Sequence, residues 1–407
     1  MPRRCSICRW AAWLTCFALP LLRGQEAPPS ERLDTPEARP GEEFRLPWPA
    51  VKREVPVYVP TDYSPARRWP VVLLYHGLNG EPTTELIRQL TGGKGAIVVG
   101  MTYIEPSPVR RTAAQQQAYQ AKELAQLERM LEELPRHVRI DRGRVFLAGI
   151  SRGGWQVSVF AETAQPRVAG YLILLAGRFP FVREPRPDLS ERAVYVGTGE
   201  NDEANAYARM AAQYYDRCGA TVTWEEYPGR GHEVDATAVR LQAWAKLLLT
   251  LDGEERRGAA REWVTERLAK TRDGADAMAC FRALDEVAED PHVHFCGSEL
   301  RTQLQTMTES VSMAAAVQSE VQARRVYERA LWQEQTAASA ADLEGALELY
   351  RQAEKRYAKS VYGRLAEREV RRVQPMVERA RTQAEPSPSR RRPPAPPMPP
   401  RLKLKTP

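Results

Sequence analysis

The sequence predicts an α/β fold, a mostly parallel sheet with helices on both faces, followed by an all-α region. Two observations carry this. From about residue 50 to 250, short apolar and partly β-branched runs alternate with longer stretches of helical period. Beyond residue 254 the chain is rich in Ala, Glu, Arg and Gln with few glycines, which favours helix throughout.

The elements follow in order. Residues 25–46 are rich in Pro, Glu and Arg without apolar periodicity and read as a linker, so the ordered core is expected to begin near Trp48. Pro56-Val57-Tyr58-Val59-Pro60 reads as an antiparallel edge strand, because proline is tolerated at edges and strand ends. Strands are then expected at 71–75, 96–102, 145–148, 168–175, 193–197 and 221–226, with helices at 84–90, 113–134, 154–163, 203–218 and 235–251. Such a sheet binds ligands at the carboxyl ends of its strands. The connection from Leu175 to Ala193 is short for a lid, which points to an open, shallow site.

Charge says little about the body of the chain. The net charge is +7, but Arg3, Arg4, Arg9 and Arg23 lie in residues 1–24, and residues 386–407 add four arginines and two lysines without an acid. Setting these ends aside leaves the remainder at −3. No basic stripe interleaved with aromatics argues for nucleic-acid binding. Residues 1–24 read as a signal peptide, with basic residues before the apolar run 10–22, so export to a periplasmic, cell-envelope or extracellular place is expected. Cys5, Cys8 and Cys16 would leave with that leader. Of the rest, Cys280 and Cys296 could pair in an oxidising compartment with Cys218 free, or all three could remain thiols. Their spacings do not suggest zinc, and His292-Val293-His294 reads as a loop.

The chemistry concentrates at strand ends. Gly149-Ile150-Ser151-Arg152-Gly153-Gly154 follows the apolar run 145–148, so a serine sits where a buried strand turns sharply into a helix, with glycines where the chain passes too close for a Cβ. Upstream, the run 71–75 leads into His76-Gly77-Leu78-Asn79-Gly80, the position of an oxyanion-hole loop. Downstream, Gly197-Thr198-Gly199-Glu200-Asn201-Asp202 and Gly229-Arg230-Gly231-His232-Glu233 each follow a strand-like stretch. The order Ser, Asp, His is that of α/β-hydrolases.

Residues 139–154 and the approach Tyr63-Ser64-Pro65-Ala66-Arg67-Arg68-Trp69-Pro70 into His76-Gly77 resemble secreted esterases related to feruloyl and acetylxylan esterases and polyhydroxyalkanoate depolymerases. The resemblance spans roughly residues 50–250 and implies the α/β-hydrolase fold and a serine esterase. Two residues depart from it: Arg152 stands where a small residue or Met is common, and Trp155 follows the glycine pair.

The expected roles follow from charge development. Ser151 is the nucleophile and His232 the base. Asp202 orients the imidazole, although Glu200 could reach the same place after a small loop change. The backbone N–H groups of Leu78 and Arg152 form the oxyanion hole. His76, Gly77, Gly149 and Gly153 shape the loops, and His137 reads as an exposed surface residue. The chemistry calls for neither metal nor organic cofactor.

These readings divide the chain into a leader (1–24), a linker (25–46), a hydrolase domain (47–253), a helical domain (254–384) and a disordered Pro/Arg/Lys-rich tail (385–407). Residues 346–366 resemble one tetratricopeptide-like helical pair, without a clear second copy, so a plain bundle packed on the hydrolase is an equal alternative. The expected function is an exported carboxylesterase acting on short-acyl or carbohydrate-linked, including polymeric, esters. The alternatives are a serine peptidase of prolyl-oligopeptidase type, or an idle hydrolase fold that binds a protein partner through its helical domain.

Overall fold

The computed structural model describes residues 38–105, 112–163, 168–179, 187–272 and 276–384. The leader, most of the linker, the tail and part of the 175–193 connection lie outside them.

Eight strands form one sheet in the order β1-β2-β4-β3-β5-β6-β7-β8. They are β1 (Glu43–Trp48), β2 (Arg53–Tyr58), β3 (Trp69–Tyr75), β4 (Ile97–Met101), β5 (Ile140–Ile150), β6 (Gly170–Leu174), β7 (Ala193–Gly199) and β8 (Thr221–Tyr227). The pairs β1·β2 and β2·β4 are antiparallel, and every other pair is parallel. This is the α/β-hydrolase sheet.

At the centre, β3 throughout and β5 from Val145 onward are apolar because both faces are covered there. In β3, Val71, Leu73 and Tyr75 enter the cluster shared with α2 (Ala113–Glu133), α3 (Arg152–Thr163) and α4 (Asn205–Arg217). Val72 and Leu74 enter the opposite cluster, with Ile87 of α1 (Glu85–Thr91) and Leu241 and Trp244 of α5 (Val239–Ala245). A π-helical turn, Lys246–Thr250, continues α5 and adds Leu248 and Leu249 to that second face.

Two sequence expectations change. The strand β1 begins at Glu43, inside the stretch assigned to the linker. It pairs antiparallel with β2 from Glu43↔Tyr58 to Trp48↔Arg53 and so takes over the edge expected of residues 56–60. His137 is not an exposed surface residue. Its side chain is only 15% exposed, bonded to Glu133, because β1 brings the Phe44 ring to 6.0 Å from it.

Six helices follow: α6 (Gly253–Arg272), α7 (Ala277–Ala288), α8 (Ser298–Ser312), α9 (Ala315–Gln335), α10 (Ala340–Arg356) and α11 (Val361–Ala384). Ala260, Val264 and Leu268 of α6 recur at a spacing of four and pack with Leu284, Val287 and Leu304. A second cluster gathers Tyr327, Ala330 and Leu331 of α9, Leu347 and Tyr350 of α10, and Ala366, Val373 and Val377 of α11. Met210 of α4 belongs to it, and its carbonyl accepts a 2.9 Å hydrogen bond from Gln335. The three helices are therefore a bundle seated on α4. Cys218, Cys280 and Cys296 are not joined in a disulfide. Cys280 Sγ points to the Thr271 carbonyl and Cys296 Sγ to that of Val293. Among the described residues no helix is long and apolar enough to cross a membrane.

Candidate active site

The serine is mounted on a strained turn between β5 and α3. Ser151 has φ 55°, a left-handed conformation unfavourable for a residue with a Cβ. Its amide is held 2.8 Å from the Leu174 carbonyl at the end of β6. The flanking glycines are required by space: a Cβ on Gly149 would lie 2.2 Å from the Gly153 carbonyl oxygen, and one on Gly153 would lie 2.2 Å from that of Tyr75. Larger residues would push α3 away from β3 and β5.

At the carboxyl ends of β5, β7 and β8, three side chains meet. Ser151 Oγ lies 2.8 Å from His232 Nε2, and His232 Nδ1 lies 2.9 and 3.0 Å from the two carboxylate oxygens of Asp202. The Asp202 side chain is 1% exposed, while that of His232 is 52% exposed. The carboxylate also accepts hydrogen bonds from the Thr198 hydroxyl (3.0 Å) and the Ala204 amide (2.8 Å), which fix its plane. Between the two acids the geometry is clear. Glu200 turns away from His232, accepts the Gly229 amide at 2.9 Å and faces Arg368 at 3.6 Å.

The loop carrying the histidine is laced to the loop carrying the acid. The Glu200 amide donates to the Tyr227 carbonyl and the Asn201 amide to that of Arg230. The chains touch at Gly199, where a Cβ would sit 2.0 Å from the Gly231 carbonyl oxygen. Gly199 is therefore a site glycine that the motif reading passed over; its signal was its place at the end of a strand, directly before an acid.

On the other side of the serine, a Cβ at Gly77 would lie 3.8 Å from that of Ser151, so Gly77 borders the nucleophile. Arg152 opens α3, where backbone N–H groups have no partner within the helix. His76 is buried; its Nδ1 donates to the Gly77 carbonyl at 2.7 Å, and burial lowers its basicity below the ordinary imidazole range. Tyr103, absent from the sequence reading, donates its hydroxyl to the His76 carbonyl. Arg152 does not stand alone as a pocket charge: its guanidinium stacks 3.9 Å over the Tyr103 ring and donates to the Glu105 carbonyl at 2.7 Å. Below them the buried carboxyl of Glu123 accepts the Ile104 amide at 3.0 Å, and burial raises its pKa. Trp155 packs partly into the core, with its ring 6.1 Å from Tyr207.

A serine, histidine and buried aspartate hydrogen-bonded in series on an α/β-hydrolase sheet define an arrangement able to activate a hydroxyl as a nucleophile. No protein-family model matches the chain. Among solved structures it is similar to a phospholipase/carboxylesterase from Dyadobacter fermentans (18% identity, TM-score 0.36, covering 44% of this chain and 90% of that one). It is also similar to a ferulic acid esterase from Anaeromyces mucronatus (16%, TM-score 0.39, 54% and 95%). A third likeness is to a carboxylesterase from Bacillus cereus (19%, TM-score 0.35, 44% and 86%).

Proposed function

We propose that this chain is a serine hydrolase cleaving carboxylic esters through an acyl-enzyme. The observation that carries the reading is the continuous hydrogen-bonded series from Ser151 Oγ through His232 to Asp202. In the forward step His232 Nε2 takes the Ser151 proton as Oγ bonds to the acyl carbon. The carbonyl π electrons move onto oxygen, which the backbone N–H groups of Leu78 and Arg152 receive. As the tetrahedral intermediate collapses, the C–O bond to the alcohol breaks and His232 delivers its proton to that oxygen. Water, deprotonated by the same imidazole, then releases the acid and restores Ser151.

Open access supports a bulky, short-acyl or carbohydrate-linked ester as substrate: Leu78 is 46% and the His232 side chain 52% exposed. The leader-like residues 1–24 support export. The test is hydrolysis of p-nitrophenyl acetate and butyrate beside a peptide p-nitroanilide panel. Turnover of esters alone, abolished in Ser151→Ala, is the expected result. Turnover of the peptides instead would move the protein to the peptidases, and a folded protein inert toward both would overturn the reading.

A further inference from the structure

The acid loop of the site is held from outside the sheet. Glu226, at the end of β8, is the node. Its Oε2 accepts from Arg209 of α4, from Asn205 Nδ2 at 2.7 Å and from Arg368 of α11 at 3.2 Å. Asn205 uses the same amide nitrogen to reach the Gly199 carbonyl at 2.9 Å, and its backbone N–H donates to the Asp202 carbonyl at 3.0 Å. Arg368 also faces Glu200, whose other carboxylate oxygen holds the Gly229 amide of the histidine loop. One guanidinium from α11 thus touches the acid loop at Glu200 and, at Glu226, the strand that leads into the histidine loop.

The electrostatics fit a mount more than a surface ion pair. Burial alone would raise the Glu226 pKa, yet Arg209, Asn205 and Arg368 together hold it below the usual carboxylate range. Three donors on one partly buried carboxylate leave it a single favoured position. The bundle fixes where Arg368 stands: Ala366 and Val370 on either side of it pack into the apolar cluster that includes Met210 of α4. One turn further on, Arg372 is anchored to Glu334 at 2.6 Å and Glu369 at 2.7 Å. The helical region does not need to approach the substrate to affect the reaction.

We propose that Arg368 is a positioning residue of the active site, through which the C-terminal bundle sets the Asp202 and His232 loops by way of Glu226 and Glu200. This inference rests on the serine-hydrolase reading. A loop relaxed by less than an ångström would leave the substrate surface intact and misalign the base, so the effect falls on kcat and not on KM.

The experiment uses the full chain, with Arg368→Met to keep the stem and remove the charge, Arg368→Lys as the conservative variant, and Arg381→Met as a control. Arg381 pairs with Glu344 near the far end of the same helix. Expected for Arg368→Met is a kcat on p-nitrophenyl butyrate lower by about tenfold at unchanged KM, with Arg368→Lys recovering much of the loss and Arg381→Met equal to wild type. A second readout does not need turnover. The low-field proton resonance of the His232–Asp202 hydrogen bond should broaden in Arg368→Met and stay sharp in Arg381→Met. Wild-type kcat together with a sharp resonance in Arg368→Met overturns the proposal, as does an equal loss of kcat in Arg381→Met. If the wild type hydrolyses no ester and takes no fluorophosphonate, the serine-hydrolase reading itself fails. The resonance then still reports whether Arg368 sets the two loops.

Discussion

Ser151 concentrates the strain of the site, and Asp202 its order. A left-handed φ at a serine persists only where the surroundings overdetermine it, here the Leu174 carbonyl and the two glycines that admit the neighbouring backbone. Gly153→Ala should therefore misplace α3 and leave little esterase activity even where the protein folds, which activity normalised to folded protein would show. Asp202 has both carboxylate oxygens engaged. Asp202→Asn keeps the shape but favours the wrong imidazole tautomer, and kcat should fall by about 10⁴ with little change in melting temperature. Tyr103→Phe removes the hydroxyl that holds the His76 carbonyl; a loss of about 1 kcal/mol in denaturant unfolding with reduced kcat is expected. That Ser151, His232 and Asp202 come together was legible in the sequence, because the roles proposed for them each demand a residue type at a strand end. Tyr103 and Glu226 were not, since they act through backbone carbonyls and loop contacts that no short motif records. Nor could spacing decide between Glu200 and Asp202. The bond from the Gly229 amide decides it by turning Glu200 away.

At the scale of elements, the central strands were readable because burial on both faces leaves continuous apolar runs. The first strand was not. Glu43–Trp48 alternates exposed and covered positions, contains Pro47 and follows a Pro- and Glu-rich stretch, so its pattern is that of an edge with one covered face. The helices after Gly253 were legible from composition, while their docking on α4 was hidden, because it depends on Met210 and on cross-element pairs more than 100 residues apart. Within the bundle, Glu334 is nearly fully buried. It accepts from Arg372 at 2.6 Å and from the Tyr350 hydroxyl at 3.0 Å. Its pKa is raised by burial despite these partners. Arg372→Met would strand a carboxylate among apolar side chains, so an unfolding penalty of about 3 kcal/mol is expected in urea titration. Pairing it with Glu334→Leu should restore only part of that stability, because the buried Glu369 carboxylate also loses Arg372.

The whole molecule is a sheet domain whose last strand is linked through Glu226 to Arg368 of α11, more than 100 residues further along the chain. At that junction the turn Pro291–His294 lies against β8. Burial, with the charge of Arg301 adding to it, lowers the His294 pKa from an ordinary 6.5 to about 4. The unfolded chain then binds this proton first as the pH falls. Stability is full above pH 6.5 and lost toward pH 4, by about 3 kcal/mol from this group. Melting curves from pH 7 to 4.5 should fall accordingly, and His294→Gln should flatten the slope. The proposed chemistry, however, rests on one assembled series of three side chains. The most direct test is to treat the protein with a fluorophosphonate and locate the adduct by peptide mass spectrometry. A single phosphonyl group on Ser151, slowed strongly in Asp202→Asn and in His232→Ala, is the predicted result. Labelling elsewhere, or none on a folded protein, would contradict it.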